Sequence, residues 1–290
     1  MMTYCDKLSG LLMPENFLGS EQAFQDIIKI AKHAGAAVME IYSESQNSDE
    51  SKLLIEHKED NSPVTSADLA SHRIIVKGLL ALTPDIPVVS EEDPDSLVQR
   101  KANQTFWLID PLDGTKEFLS RNGEFTINIA LIVDGHAVWG VVNAPALDVT
   151  YWGGANFGAK RETDGQTQSM QVNKSELQPL RVVASKSHLN KETQGYISSL
   201  GVVELIQAGS SLKFCRIAEG IADLYPRLAP TCEWDTAAAQ AVLEGAGGHV
   251  FDLAGNMLRY GKPNVLNPSF IASATPSNTT PFAPAKVDTL

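Results

Sequence analysis

The chain has 290 residues, 43% hydrophobic and 20% charged, the composition of an ordinary globule long enough for one large domain or two lobes. Its net charge of −12 argues against a nucleic-acid scaffold, which would show a basic face, and admits an anionic ligand only where local cations reverse the field. Three scattered cysteines without a C-x-x-C spacing suggest reduced thiols in a cytosolic protein, not a disulfide framework or a zinc site.

Residues 1–19 form a leader without a basic region followed by a sustained apolar run, so no signal peptide is read. No run reaches the length of a membrane span, and association at a membrane surface stays open. Ser20 is placed to cap a helix carrying Phe24, Ile27, Ile28, Ala31, Ala34, Val38 and Ile41 on one face. Residues 43–52 read as a polar loop. Thr65-Ser-Ala-Asp68 then has the spacing of a capping box ahead of a helix through Leu82, whose Leu69, Ile75, Val76, Leu79 and Leu80 are expected to face a core. Val88-Val89 is a short strand running into Ser90-Glu91-Glu92.

The run Phe106-Trp-Leu-Ile reads as a buried strand whose end delivers Asp110-Pro-Leu-Asp113-Gly114-Thr115. Two carboxylates reach one point there, and Gly-Thr opens a turn whose N–H groups can face an anion. Asp134-Gly135 between two apolar runs is the strongest hairpin signal in the chain. Further strands are expected at 149–153 and 156–160. This first lobe, residues 20–174, reads as α+β and mostly antiparallel. From about 175 to 274 the rhythm becomes strand–helix alternation, a smaller α/β lobe. Its strands are read at 181–184, 202–207, 222–226, 248–252 and 269–274, and its helices at 190–200, 211–220 and 235–246. Residues 275–290, rich in Pro, Thr, Ser and Ala, read as a disordered tail.

Acidic residues gather at the ends of these elements: Glu91 and Glu92 after a strand, Asp68 in a first helical turn, and Asp235 after Trp234 at a helix start. Each alone has a plain explanation, since acids at helix N-termini complement the dipole. Asp110 and Asp113 from one turn, Glu91 from a strand end and Asp235 from the second lobe would provide the four or five carboxylates that a two-cation site requires, in a cleft between two lobes.

These motifs closely resemble the lithium-sensitive, Mg²⁺-dependent phosphatase superfamily of inositol monophosphatase and fructose-1,6-bisphosphatase, over roughly residues 20–275. The resemblance rests on Ser90-Glu91-Glu92, Asp110-Pro-Leu-Asp113-Gly-Thr115 and Trp234-Asp235 before a small-residue helix. Lys116-Glu117-Phe118 stands where inositol monophosphatases typically have Thr-Asn-Phe. With Ser185-Lys-Ser-His188, Gly209-Ser-Ser-Leu-Lys213-Phe and Leu224-Tyr-Pro-Arg227, this resembles the 3′(2′),5′-bisphosphate nucleotidase family. Ala239 departs from that pattern, where the family often has Gly, and the leader and tail are extra.

The resemblance implies a layered α-β-α-β-α fold and hydrolysis of adenosine 3′,5′-bisphosphate to AMP beside sulfate assimilation. The 3′-phosphosulfate nucleotide stays open as a second substrate, and no obligate protein partner is inferred. It implies two or three Mg²⁺ ions, held by Glu91, Asp110, the Leu112 carbonyl, Asp113 and Asp235. Asp68 and Thr115 would be the proton-accepting pair. Glu91, Leu112, Asp113, Gly114, Thr115, His188, Ser210, Lys213, Arg227 and Asp235 would contact the nucleotide substrate. An inositol monophosphatase is the nearest rival within the superfamily. A nucleotide sensor without turnover is the rival of another class, and it would need no Asp68–Thr115 pair. Lys116 and Arg121 are further local cations that the sequence does not place, while Phe214 and Tyr225 are expected in the core.

Overall fold

The computed structural model describes residues 21–44, 55–57, 63–100, 104–175, 179–185 and 189–276. Helix α1 (Glu21–Glu44) follows its apolar periodicity, burying Phe24, Ile27, Ile28, Ala31, Ala34 and Val38 at three- and four-residue spacing. Its expected cap, Ser20, lies outside the described residues, as do most of the polar loop at 43–52 and the tail from 277. Helix α2 (Ser66–Leu82) starts from the expected capping box, with the Thr65 side chain accepting the Ala67 N–H and the Asp68 carboxylate accepting the N–H of Thr65. Leu69 and Leu80 depart from expectation: they are 38% and 44% exposed. The buried stripe of α2 is narrower, running through Ala67, Ser71, Ile75 and Leu79 at strict four-residue steps.

Seven strands form the larger sheet: β3 (Val88–Ser90), β4 (Phe106–Asp113), β5 (Thr126–Val133), β6 (His136–Ala144), β7 (Val149–Gly154), β8 (Gly158–Thr163) and β9 (Gln166–Met170), in that spatial order. Only β3 and β4 pair in parallel; the remaining pairs are antiparallel. The β5–β6 turn is the expected Asp134–Gly135 hairpin, with both residues at positive φ. The strand expected at 156–160 is shifted to β8, and its partner β9 carries no apolar alternation that would announce it. A small hairpin of β1 (Ile55–His57) and β2 (Pro63–Thr65) precedes α2, and a short helix α3 (Thr115–Leu119) follows β4.

The smaller sheet has five strands: β10 (Leu180–Ala184), β11 (Val203–Gln207), β12 (Leu224–Arg227), β13 (His249–Asp252) and β14 (Phe270–Ser273), ordered β11-β10-β12-β14-β13. Its helices are α4 (Lys191–Ser199), α5 (Leu212–Ala218) and α6 (Ala237–Gly245). These elements fall within two residues of the expected boundaries, the usual fraying of element ends. The sheet is mixed rather than a plain parallel α/β array, because β14 runs antiparallel to both β12 and β13.

Three apolar clusters define the layers. One joins α1 and α2 to the outer face of the seven-stranded sheet through Trp107, Ile109, Ile129 and Trp139. A second joins the inner face, through Phe106, Leu108 and Val142, to α5, α6 and the inner face of the five-stranded sheet. The third packs Tyr196 of α4 on Val182, Leu224 and Ile271 at the far face. The order is therefore helix, sheet, helix, sheet, helix, the layered α-β-α-β-α sandwich expected from the motifs. Helix α6 is buried along Ala237–Leu243 because it is covered on both sides, which its small residues permit.

Candidate active site

The two aspartates of Asp110-Pro-Leu-Asp113 lie within β4 rather than beyond its end. In a regular strand, residues three apart point to opposite faces. Here Asp110 faces Asn128 and Asp113 faces Thr126, so three steps on β4 match two on β5. The bulge inserts one residue and brings both carboxylates to the inner face. Parallel pairing of Ser90 with Ile109 sets Glu91 alongside Asp110, and the Glu91 N–H donates to the Ile109 carbonyl at 3.2 Å. Asp235 arrives on the turn leading into α6, its Oδ2 accepting the Cys232 N–H at 2.8 Å.

Glu91, Asp110 and Asp235 each offer an oxygen within 4.8 Å of the others. Asp113 lies outside this closest set but lines the same cavity of about 260 Å³. Burial, and then the charges of Asp113 and Glu91, push the Asp235 carboxyl well above the usual carboxylate range. Burial raises Asp113 to about 6, opposed by the Lys213 ammonium and the Ser211 N–H. A set of carboxylates that disfavour one another's ionisation, all hard oxygen donors, fits divalent cations that would neutralise it.

Asp68 and Thr115 meet at the side of this cluster. The Asp68 Oδ2 is held by the Thr65 N–H at 2.8 Å and the Thr65 hydroxyl at 2.6 Å. Its Oδ1 faces the Thr115 hydroxyl at 3.5 Å, a reach at the limit of a hydrogen bond that a bound reactant can tighten. Burial raises Asp68 to about 6 against the lowering effect of its Thr65 bonds, and Glu91 adds to the rise. The Leu112 carbonyl, on the same cavity wall, also lies 3.5 Å from the Thr115 hydroxyl. Gly114 joins these residues at φ 90°, a conformation that side chains avoid.

The same cavity is also lined by cations. Lys213, on α5, is buried rather than solvated, and its ammonium lies 5.5 Å from the Tyr225 ring centroid. Burial lowers its pKa to about 8, so it stays charged at neutral pH. Arg227, at the end of β12, donates to the Ala229 carbonyl at 3.2 Å and the Pro230 carbonyl at 3.0 Å. Among the described residues it makes no salt bridge, and its charge acts on Asp235 in the same cavity. Lys116 also lines the cavity. Arg121 instead stacks over Tyr42 at 5.0 Å and donates to its carbonyl at 2.9 Å, away from the site. Phe214 and Tyr225 are buried as expected, packed edge to face, while also lining the cavity.

Two expected substrate contacts stand apart. The Ser210 hydroxyl lines the cavity but is engaged by the Asp113 carbonyl at 2.9 Å and the Glu124 carbonyl at 2.8 Å, which makes it a joint in the wall. His188 lies outside the described residues. Four further residues escape a reading of the sequence: Ser211, Thr126 and Asn128 surround Asp113, and the buried carboxylate of Glu117 lines the cavity floor. Thr126 and Asn128 carry a signal, because two polar residues at i and i+2 in an apolar strand share one face.

The chain is similar to proteins of known type over most of its length. It is 47% identical to the 3′(2′),5′-bisphosphate nucleotidase CysQ of Salmonella typhimurium, an alignment covering 85% of this chain and 97% of that protein. The CysQ of Escherichia coli strain K12 is likewise 47% identical, over 85% and 98%. A crystal structure of CysQ from Bacteroides thetaiotaomicron superposes with a TM-score of 0.76 at 39% identity, covering 89% of this chain and 99% of that one. The model of the inositol monophosphatase family matches residues 21–288, and with these relatives it shows that the chain belongs to the inositol monophosphatase family.

Proposed function

We propose that the protein removes the 3′-phosphate of adenosine 3′,5′-bisphosphate, giving AMP and phosphate, with Mg²⁺ as the cation. One observation carries the reading: a single cavity is lined both by the acidic cluster of Glu91, Asp110 and Asp235 and by the cations Lys213 and Arg227. A substrate with two phosphates set apart by a nucleoside can use both sets. One phosphate goes to cations held by carboxylates, the other to side-chain cations. The similarity to CysQ nucleotidases supports the same assignment.

In this reading Glu91, Asp110 and the Leu112 carbonyl would hold one ion, and Asp110, Asp113 and Asp235 a second. Glu91 and Asp68 would contribute to a third. Bound Mg²⁺ supplies charge neutralisation at the phosphoryl oxygens and polarises the attacking water. The Thr115 hydroxyl is placed to accept a proton from the attacking water as it passes its own to the Asp68 carboxylate. Arg227 grips the non-reacting phosphate through its guanidinium edge, and Lys213 adds a point charge. His188 and the Gly114–Thr115 turn complete the substrate contacts.

The test compares phosphate release from adenosine 3′,5′-bisphosphate and from inositol 1-phosphate in Mg²⁺, with and without Li⁺. The proposal expects kcat/KM to favour the nucleotide and Li⁺ to inhibit. A higher kcat/KM on inositol 1-phosphate would overturn it.

A further inference from the structure

The segment Gly209–Ser211, just before α5, crosses from the five-stranded sheet to the seven-stranded one and closes on Asp113. The Gly209 N–H donates to the Glu124 carboxylate at 2.9 Å. The Ser211 N–H donates to the Asp113 Oδ2 at 2.6 Å, the shortest contact that oxygen makes. The buried Ser211 hydroxyl lies 2.9 Å from the Asn128 side-chain Oδ1 and 2.8 Å from the Thr126 hydroxyl. The direction of these bonds follows from valence. An amide oxygen only accepts, so Ser211 donates to Asn128 and accepts the Thr126 proton. Asn128 is thereby oriented with its NH₂ toward the Asp113 Oδ2, at 3.4 Å.

We propose that Ser211, Asn128 and Thr126 are positioning residues that fix the rotation of the Asp113 carboxylate, turning its second oxygen to the cation site. The inference rests on Asp113 being a cation ligand, as in the function proposed above. It adds that cation affinity is set partly by residues that touch neither ion nor substrate, and by the contact between the two sheets. Hydrogen-bond partners behind a ligand typically change metal affinity about 10- to 100-fold when removed.

The experiment measures Mn²⁺ binding to the full-length protein without nucleotide, by electron paramagnetic resonance. Ser211→Ala keeps the backbone N–H but frees the Asn128 amide to turn over. It should raise the Mn²⁺ Kd about tenfold, while KM for the nucleotide at saturating Mg²⁺ stays within about twofold. Thr126→Val should raise the Kd about threefold and Thr126→Ser, which keeps the hydroxyl, should restore it. If Ser211→Ala fails to fold, the two Thr126 variants decide. Asp113→Asn, run alongside, separates the two levels. Wild-type Mn²⁺ binding by Asp113→Asn would remove Asp113 as a ligand and the inference with it. Loss of binding in Asp113→Asn with wild-type Kd in Ser211→Ala and Thr126→Val would overturn the inference alone. A lowered melting point without a change in Kd would assign the network to structure only.

Discussion

Gly114→Ala should damage both fold and site, and its cost can be worked out. At φ 90° a side chain costs roughly 1–2 kcal/mol from backbone crowding alone. The new Cβ would overlap the Ser210 hydroxyl and lie 3.2 Å from the Glu117 carboxylate. Ser210 would have to leave the Asp113 and Glu124 carbonyls, losing about 1 kcal/mol. The sum is about 2–3 kcal/mol, a fall in melting temperature of about 3–5 °C for a chain of this size. Circular-dichroism melts and a Mg²⁺ titration of activity read the two consequences. The steric part is separable: Gly114→Ala with Ser210→Ala removes the overlap, so the pair should be about 1 kcal/mol less damaging than the sum of the singles. Strict additivity, or a single variant melting within about 2 °C of wild type, would refute the overlap argument.

Glu244 gives a pH dependence away from the catalytic residues. Burial raises its carboxyl from 4.5 to about 7 despite a bond from Gln240, so the fold binds this proton more tightly than the unfolded chain. Its contribution to stability is therefore highest below pH 4.5 and declines as pH rises towards 7. Allowing for its partial exposure, Glu244→Gln should stabilise the protein by about 2 kcal/mol at pH 8 and hardly at all near pH 4.5 in urea melts; an equal gain at both would contradict this. Glu233 is fully buried, accepts the Gly261 and Lys262 N–H groups, each at 3.0 Å, and pairs with Arg100 and Lys262. Glu233→Gln should cost about 3–5 kcal/mol by stranding those cations, and a loss below about 1 kcal/mol in denaturant melts would exclude that role. Arg227→Ala should raise KM for the bisphosphate about tenfold or more and leave a simple phosphomonoester within about twofold; equal changes would remove Arg227 from recognition.

What the sequence discloses follows the physics of each element. The α1 stripe, the Thr65 capping box and the Asp134–Gly135 hairpin are local patterns, and all three are present. The β8–β9 hairpin has the same Asp-Gly turn, Asp164–Gly165, yet its strands are polar because β9 lies at the sheet edge with four of its five residues exposed. Without burial there is no alternation to read. The acidic residues at element ends were legible, and Glu91, Asp110 and Asp235 do converge. The bulge that turns Asp113 inward was not, since it exists only relative to the register of β5. Leu69 and Leu80 erred in the other direction: apolarity marks candidates for burial, but the width of the covering layer decides which are covered.

The convergence of Glu91, Asp110 and Asp235 also has a thermodynamic side. Carboxylates held together by the fold repel one another in every molecule that lacks a counterion, whereas the unfolded chain separates them. A cation that binds only the assembled cluster adds RT ln(1 + [ion]/Kd) to stability, about 1.4 kcal/mol at ten times Kd. With such a cation, the folded fraction would track its free concentration. Chelation would act as a mild denaturant before any substrate is involved.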